Sequence, residues 1–177
     1  SRIISNLQLF AQPIPQNAPT DLGPKKYVKA DGSLETDNKD NGLGTVQTSN
    51  TYPYIQYVDS LKLSTASKYA YYFNNPGVST NTNLLSNAVP YNYNPSNASW
   101  AYKVTSSRYN GNVDPSLYIV DTDAGYLYFV NTTDWDTNYG TPYISFYRYN
   151  GTMGIPTNLG NFAGAYAQGT GAIAYGD

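Results

Sequence analysis

The chain of 177 residues contains no histidine and no cysteine, and Glu35 is its single glutamate. These absences exclude disulfide frameworks, thiolate and histidine metal sites, and the Ser–His–Asp and Cys–His mechanisms of nucleophilic catalysis. Paired aspartates such as Asp121 and Asp123 remain. Carboxylates two residues apart on a loop more often mark a turn or a cation site than an acid–base dyad. The sequence therefore predicts no catalytic residues and no enzymatic activity.

Charge is also scarce, because Asp, Glu, Lys and Arg together make up 12% of the residues and the net charge is −2. A surface of this kind has no basic patch for phosphate backbones, so we expect no nucleic-acid partner. No apolar run reaches the roughly 18 residues that span a membrane. The neutral polar composition is typical of proteins that face an extracellular medium. A first residue Ser1 is what a cleaved leader would leave, so we expect a location outside the cell or on its surface.

The residues that are abundant favour β-structure. Tyrosine occurs 20 times, and tyrosine, valine, isoleucine, threonine and phenylalanine, all strand formers, dominate the apolar runs. Alternating patterns at 100–105 and 143–148 predict half-buried strands, and further strands are expected at 52–63, 67–73, 161–167 and 171–175. The runs 117–120 and 126–130 are apolar on both faces and are predicted to be buried central strands. Asp121–Gly125 between them predicts a hairpin connection.

These short strands predict an all-β fold, an antiparallel β-sandwich of jelly-roll or immunoglobulin-like type with an extended N-terminal strand. Residues 74–98 are mostly Asn, Pro, Ser and Thr and are predicted to form a long surface loop. We expect two parts in the chain, an N-terminal strand with a proline-rich linker at 1–19 and a single sandwich domain at 20–177.

The first part of the chain suggests how copies could join. The odd-numbered residues of segment 3–11 share one face of a strand, and they are Ile3, Ser5, Leu7, Leu9 and Ala11. The proline-rich segment 12–19 that follows favours an extended linker. Such a strand can pair with its own sheet or with the sheet of a neighbouring copy, and both pairings stay open. The Gly- and Ala-rich segment 161–177 could line a groove for it or form an edge hairpin.

One loop has the composition of a cation site. Asp134, Asp136 and Asn138 place oxygen side chains at alternate positions, as calcium requires. The pattern resembles the first half of an EF-hand loop, but its glycine falls one place late and no bidentate glutamate follows. Metal-free Asp-rich turns have the same composition, so the loop is either a calcium site or a simple turn. Calcium is the only cofactor that the sequence suggests.

Three acceptor sequences for N-glycosylation occur, at Asn97, Asn131 and Asn150. A chain this rich in Asn, Ser and Thr is expected to contain about three to four such sequences by chance. They are therefore candidate sites that do not themselves indicate secretion.

The tyrosines occur at both parities of the predicted strands, so some of them must face outward. Exposed tyrosine offers a large, rigid contact area for protein interfaces and also stacks on sugar rings. Few charges oppose contact between copies. We therefore expect tyrosine to supply a contact surface, either for another copy or for a glycan or cell surface.

In its Tyr, Asn and Thr richness, its missing Cys and His, and its strand-plus-proline leader at 3–19, the chain resembles secreted archaeal surface-filament subunits of the thread, bundling-pilus and cannula type. The resemblance implies a β-sandwich whose residues 3–11 insert as a donor strand into the next subunit, giving a head-to-tail homopolymer without catalysis. The alternative is a carbohydrate- or receptor-binding β-sandwich module, lectin-like or from a phage or virus receptor-binding or capsid protein.

Overall fold

The computed structural model describes residues 10–39, 42–73, 82–130, 135 and 139–154. Within these ranges the regular structure is almost entirely β. The elements in chain order are β1 (Lys26–Val28), β2 (Leu34–Glu35), β3 (Thr45–Thr48), β4 (Ile55–Lys62), β5 (Ser64–Thr65), β6 (Ala70–Tyr72), β7 (Lys103–Ser106), a 3-10 turn (Pro115–Leu117), β8 (Tyr118–Asp121), β9 (Tyr126–Phe129) and β10 (Pro142–Tyr149).

The strands form two antiparallel sheets. The six-stranded sheet has the order β2-β1-β3-β4-β10-β7, and the four-stranded sheet has the order β5-β6-β9-β8. The longest pairing joins β4 to β10, with Val58 opposite Phe146 and Tyr57 opposite Tyr147. The predicted all-β sandwich is therefore confirmed at the level of two antiparallel sheets.

Both sheets contribute side chains to one hydrophobic core. Val58 and Ile144 of the six-stranded sheet and Leu127 of the four-stranded sheet are all fully buried in the same cluster. The alternation of the strands supplies this face, because successive side chains of a strand point to opposite sides of the sheet. Trp135 completes the core, and its ring stacks on Phe129 with centroids 3.6 Å apart.

The hairpin between β8 and β9 follows its sequence signal closely. The carboxylate of Asp121 accepts a hydrogen bond from the Ala124 N–H at 3.0 Å, and its carbonyl accepts one from the Gly125 N–H at 2.8 Å. Gly125 has φ +80°, the left-handed conformation that ends such a loop and favours glycine. The predicted hairpin is confirmed.

Two predictions about burial are wrong. The sequence predicts a buried central strand at 117–120, but among the described strands β8 is the last of its sheet, and Ile119 is 59% exposed. The described part of the predicted surface loop 74–98 contains Leu84, Leu85 and Val89, which are all buried. Run 117–120 is apolar and segment 74–98 is mostly polar, but composition determines neither the strand order nor the path of a loop, which depend on contacts distant in sequence.

The chain divides into two compact units, residues 15–150 and residues 1–14 together with 151–177. The larger unit contains the ten strands and also Pro15–Pro19, which the sequence assigned to the linker. In that unit the Trp100 ring N–H donates to the Gln16 carbonyl at 2.9 Å, and the Ala18 N–H donates to the Ser99 hydroxyl at 3.1 Å. In the smaller unit, Phe10 bridges antiparallel to Met153, and the Ala11 N–H donates to the Thr152 carbonyl at 3.0 Å.

Candidate functional site

The four edges of the two sheets differ in how well they are protected. Strands β2 and β5 contain two residues each. The outer edge of β7 is covered in part, because the Val104 carbonyl accepts a hydrogen bond from the Val113 N–H at 2.7 Å. Strand β8 has four residues; Tyr118, Ile119 and Val120 carry no charge and none of the four is Lys or Pro, whereas the exposed Asp121 at its end is charged. Among the described residues, nothing pairs with its outer side.

The register of the β8–β9 ladder shows which main-chain groups of β8 point outward. The Val130 N–H donates to the Leu117 carbonyl, and Ile119 lies opposite Tyr128. Hydrogen-bonded and non-hydrogen-bonded pairs alternate in an antiparallel ladder, so Leu117 and Ile119 direct their main-chain groups towards β9. Tyr118 and Val120 direct theirs to the open edge. The Tyr118 N–H already donates to the Pro115 carbonyl in the 3-10 turn. In the part of the chain that the structure describes, the open groups are therefore the Tyr118 carbonyl and both groups of Val120.

An apolar groove of about 370 Å³ runs beside this edge. Strand β8 and Pro115 line it together with residues from the loops at 88–92 and 101–102. None of the lining residues is charged; they are Ala88, Pro90, Tyr91, Asn92, Ala101, Tyr102, Pro115, Tyr118, Ile119, Val120 and Thr122. A groove lined by apolar side chains beside open main-chain groups is the arrangement that accepts an additional β-strand. We call it the β8-edge groove.

The tyrosines of the β8-edge groove are held in place by hydrogen bonds and ring contacts. The Tyr102 hydroxyl donates to the Val89 carbonyl at 2.9 Å, and its ring packs edge-on against Phe146 at 6.2 Å. Burial raises the pKa of Tyr102 far above its ordinary value, so the hydroxyl stays protonated and remains a donor. Tyr91 packs edge-on against Tyr102 at 5.7 Å and is 58% exposed, so it forms the solvent-facing wall of the groove.

The start of β8 is fixed by a capped turn. Asp114 accepts a hydrogen bond from the Ser116 N–H at 2.9 Å, and Pro115 supplies the backbone angle that a 3-10 turn needs at its first position. The hydrogen bonds from the Ser116 backbone and side chain lower the pKa of Asp114. Burial, and to a lesser extent the Asp114 charge, raise the pKa of Tyr118. The turn therefore positions the edge strand beside the groove without placing a charge in it.

Four of the five residues of the predicted donor face lie outside the residues that the structure describes. Ile3, Ser5, Leu7 and Leu9 lie outside the described residues. Ala11 is described, and it pairs with Thr152 of its own chain. The predicted donor strand is therefore limited to residues 3–9, and pairing of this segment between copies stays a prediction.

The predicted calcium and glycosylation sites also stay predictions. Asp134, Asp136, Asn138 and Asn131 lie outside the described residues. Within the described ranges, no group of three or more His, Cys, Asp or Glu side chains could hold a metal ion.

The other two acceptor asparagines are both exposed. The side-chain amide of Asn97 donates to the Asn17 side-chain oxygen at 2.8 Å. A glycan is attached to this amide nitrogen and replaces one of its two hydrogens, so glycosylation would leave one hydrogen for the contact with Asn17. The Asn150 backbone N–H donates to the Tyr54 carbonyl at 2.7 Å.

The tyrosines divide between the core and the surface. Tyr71 and Tyr149 are fully buried, whereas Tyr91, Tyr93, Tyr109 and Tyr128 are substantially exposed. Among the latter, Tyr91 lies in the β8-edge groove. Sequence parity indicated that some tyrosines face outward, but it could not identify which ones.

None of the helices in the described part of the chain is long and apolar enough to cross a membrane. No protein-family model, curated protein or solved structure matches this chain.

Proposed function

We propose that this protein is a non-catalytic structural subunit of an extracellular filament or tube, and that copies join head to tail when residues 3–9 of one copy pair with β8 of the next. The observation that carries the proposal is the open edge of β8 beside an uncharged groove. An exposed apolar edge strand is a site for strand addition, and soluble proteins usually protect such edges.

The chemistry of the proposed donor matches the β8-edge groove. Residues 3–9 carry no charge, and neither do the residues that line the groove. Ile3, Leu7 and Leu9 share one face, and burial of each would contribute about 1.5–3 kcal/mol. Main-chain bonds to Val120 and to the Tyr118 carbonyl would add about 0.5–1.5 kcal/mol each.

The wrong prediction for β8 supports the same proposal. Residues 118–120 of β8 are apolar on both faces, which is typical of the interior of a sheet, yet among the described strands β8 lies at an edge. A donor strand would make β8 an interior strand of a five-stranded sheet. The apolar sequence and the edge position are then consistent with each other.

Two complementary variants test the proposal. Deletion of residues 1–9 removes the donor, and Val120→Pro removes the outward N–H of the acceptor. Because the Val120 N–H does not take part in the β8–β9 ladder, and edge strands tolerate proline, the variant should fold. Val120→Thr is the matched control, since it keeps both the N–H and the branched side chain. Circular dichroism and chemical denaturation establish that each variant is folded.

Electron microscopy and sedimentation then measure assembly. We expect polymers from the wild type and from Val120→Thr, and monomers from each of the other two variants. A mixture of the deletion with Val120→Pro should form 1:1 dimers and nothing longer, because only one donor and one acceptor remain. Polymers from both variants, or a wild type that stays monomeric under all conditions, would refute the proposal. A synthetic peptide of residues 1–11 should also block assembly and provides a test should Val120→Pro not fold.

A further inference from the structure

A second concave site lies on the outer face of the six-stranded sheet. The pairing of β1, β3 and β4 places Tyr27 opposite Thr45, and Thr45 opposite Asp59. Their neighbours Val28, Val46 and Val58 are buried in the core, so these three side chains occupy the opposite face of the sheet. A cleft of about 320 Å³ opens here, and Lys25, Asn38 and Tyr143 also line it.

The carboxylate in this cleft is held rigidly. The hydroxyls of Ser60 and Ser145 donate to the same oxygen of Asp59, Oδ1, at 3.0 and 3.1 Å. Ser145 is only 3% exposed, and its hydroxyl also accepts the Ser60 N–H at 2.9 Å. The second oxygen of Asp59 has no hydrogen-bond partner among the described residues. The cleft therefore presents one fixed, available acceptor.

The backbone beneath the carboxylate is irregular in a way that fits this role. The register between β4 and β10 shifts between Ile144 and Phe146, and Ser60 adopts φ +54°. A positive φ at a residue other than glycine costs about 1–3 kcal/mol and is found more often at binding sites than elsewhere. The shift places Ser145 under the carboxylate, on the same face as Tyr143.

The charges of the cleft narrow the class of ligand. An anion such as phosphate would approach the Asp59 carboxylate. Calcium and magnesium need six or more oxygen ligands, and either cation would approach the Lys25 ammonium. A neutral polyhydroxyl ligand meets neither obstacle, because sugar hydroxyls donate to a carboxylate, accept from an ammonium or amide, and pack their C–H face on an aromatic ring.

We propose that this cleft binds a neutral saccharide, with Asp59 accepting sugar hydroxyls and with Tyr27 and Tyr143 packing against the ring. Lys25 and Asn38 lie at the cleft as hydrogen-bond donors. The binding site belongs to a single copy and is independent of the β8-edge groove, which uses different strands.

The test uses the full-length chain and an array of neutral oligosaccharides, followed by calorimetric titration of each sugar that binds. We expect Asp59→Asn and Tyr143→Ala each to weaken binding at least tenfold. Tyr128→Ala is the matched control, because Tyr128 is an exposed tyrosine on the other sheet, and it should leave the affinity unchanged. Chemical denaturation establishes that the variants are folded.

Two results would overturn the saccharide site. One is an array on which no neutral oligosaccharide binds above background. The other is binding that Asp59→Asn and Tyr143→Ala both leave unchanged, which would place the sugar elsewhere on the surface. Tyr27→Phe keeps the ring and provides a second, milder variant: it should retain binding, whereas Tyr27→Ala should lose it.

Discussion

Gly44 occupies a position where the backbone conformation and the neighbouring strand both disfavour a larger residue. It precedes β3 and adopts φ +119°, a backbone region that glycine occupies and other residues avoid. A Cβ atom at this position would lie 3.0 Å from the Leu61 Cα, and 3.1 Å from the carbonyl oxygens of Asp59 and Ser60. All three neighbours are backbone atoms of β4, which is paired on both sides and cannot move away easily.

The substitution Gly44→Ala therefore has two costs. The unfavourable backbone conformation contributes about 1–3 kcal/mol. The contact with β4 adds about 1–3 kcal/mol, the usual cost of overpacking a rigid site. The expected loss of about 2–6 kcal/mol is a large fraction of the 5–15 kcal/mol that stabilises an ordinary domain. The variant should be strongly destabilised.

Gly42 offers a matched control two residues away. It also has a positive φ, +80°, but a Cβ atom there would meet nothing within 4 Å. Gly42→Ala should cost only the left-handed backbone term of about 1–2 kcal/mol. Equilibrium unfolding in urea, followed by the fluorescence of the two buried tryptophans, measures both variants. Equal losses at the two positions would refute the argument that the backbone of β4 confines Gly44.

Three further substitutions probe charge and burial, each measured by equilibrium or thermal unfolding. The Arg148 guanidinium is mostly buried, donates to the Ser86 carbonyl at 3.3 Å and has no ion pair among the described residues, and burial lowers its pKa. Because an unpaired buried charge is costly, Arg148→Met should leave the free energy of unfolding unchanged or raise it, and a loss above about 2 kcal/mol would contradict this. Hydrogen bonds from Thr51 and Ser49 lower the pKa of Asp21, so the stability that its carboxylate contributes is present above about pH 4 and is lost as the pH falls. Asp21→Asn should therefore make the midpoint of unfolding less sensitive to acid. An unchanged acid slope would contradict this. Burial raises the pKa of Tyr102, so the stability that its protonated hydroxyl contributes is fully present below about pH 10 and is lost as the pH rises. Tyr102→Phe should therefore make the loss of stability at alkaline pH less steep. An unaltered alkaline slope would count against this.

The β-content of the chain could be predicted because its signals are local. Alternation identified β10, and the Asp121–Gly125 segment identified the hairpin between β8 and β9. Strand order could not be predicted in this way. β10 lies between β4 and β7, strands that are distant from it in sequence, and β8 lies at an edge although its sequence is typical of an interior strand.

The two candidate sites were out of reach of the sequence for the same reason. Tyr27, Asp59 and Tyr143 come from three separate strands, and only the register of the six-stranded sheet brings them to one cleft. The β8-edge groove combines β8 with Tyr91 and Tyr102 from elsewhere in the chain. Neither set has a spacing that a motif could record, because tyrosine and asparagine are common throughout this sequence.

The two proposals can be separated experimentally because they use different strands. The β8-edge groove belongs to the edge of the four-stranded sheet, whereas the cleft belongs to β1, β3, β4 and β10 of the other sheet. Val120→Pro should therefore stop assembly and leave the affinity of one copy for a saccharide unchanged. Asp59→Asn should weaken saccharide binding and leave assembly unchanged.

Their combination has a consequence that neither site has alone. A polymer repeats the cleft along its length, and linked sites bind a surface about 10²–10⁴-fold more tightly than a single site of the same affinity. A glycan-coated surface should then retain the polymer and release the copy that lacks residues 1–9, although both have the same affinity for the free sugar. Equal retention of the two would mean that assembly and glycan binding are unrelated properties of this chain.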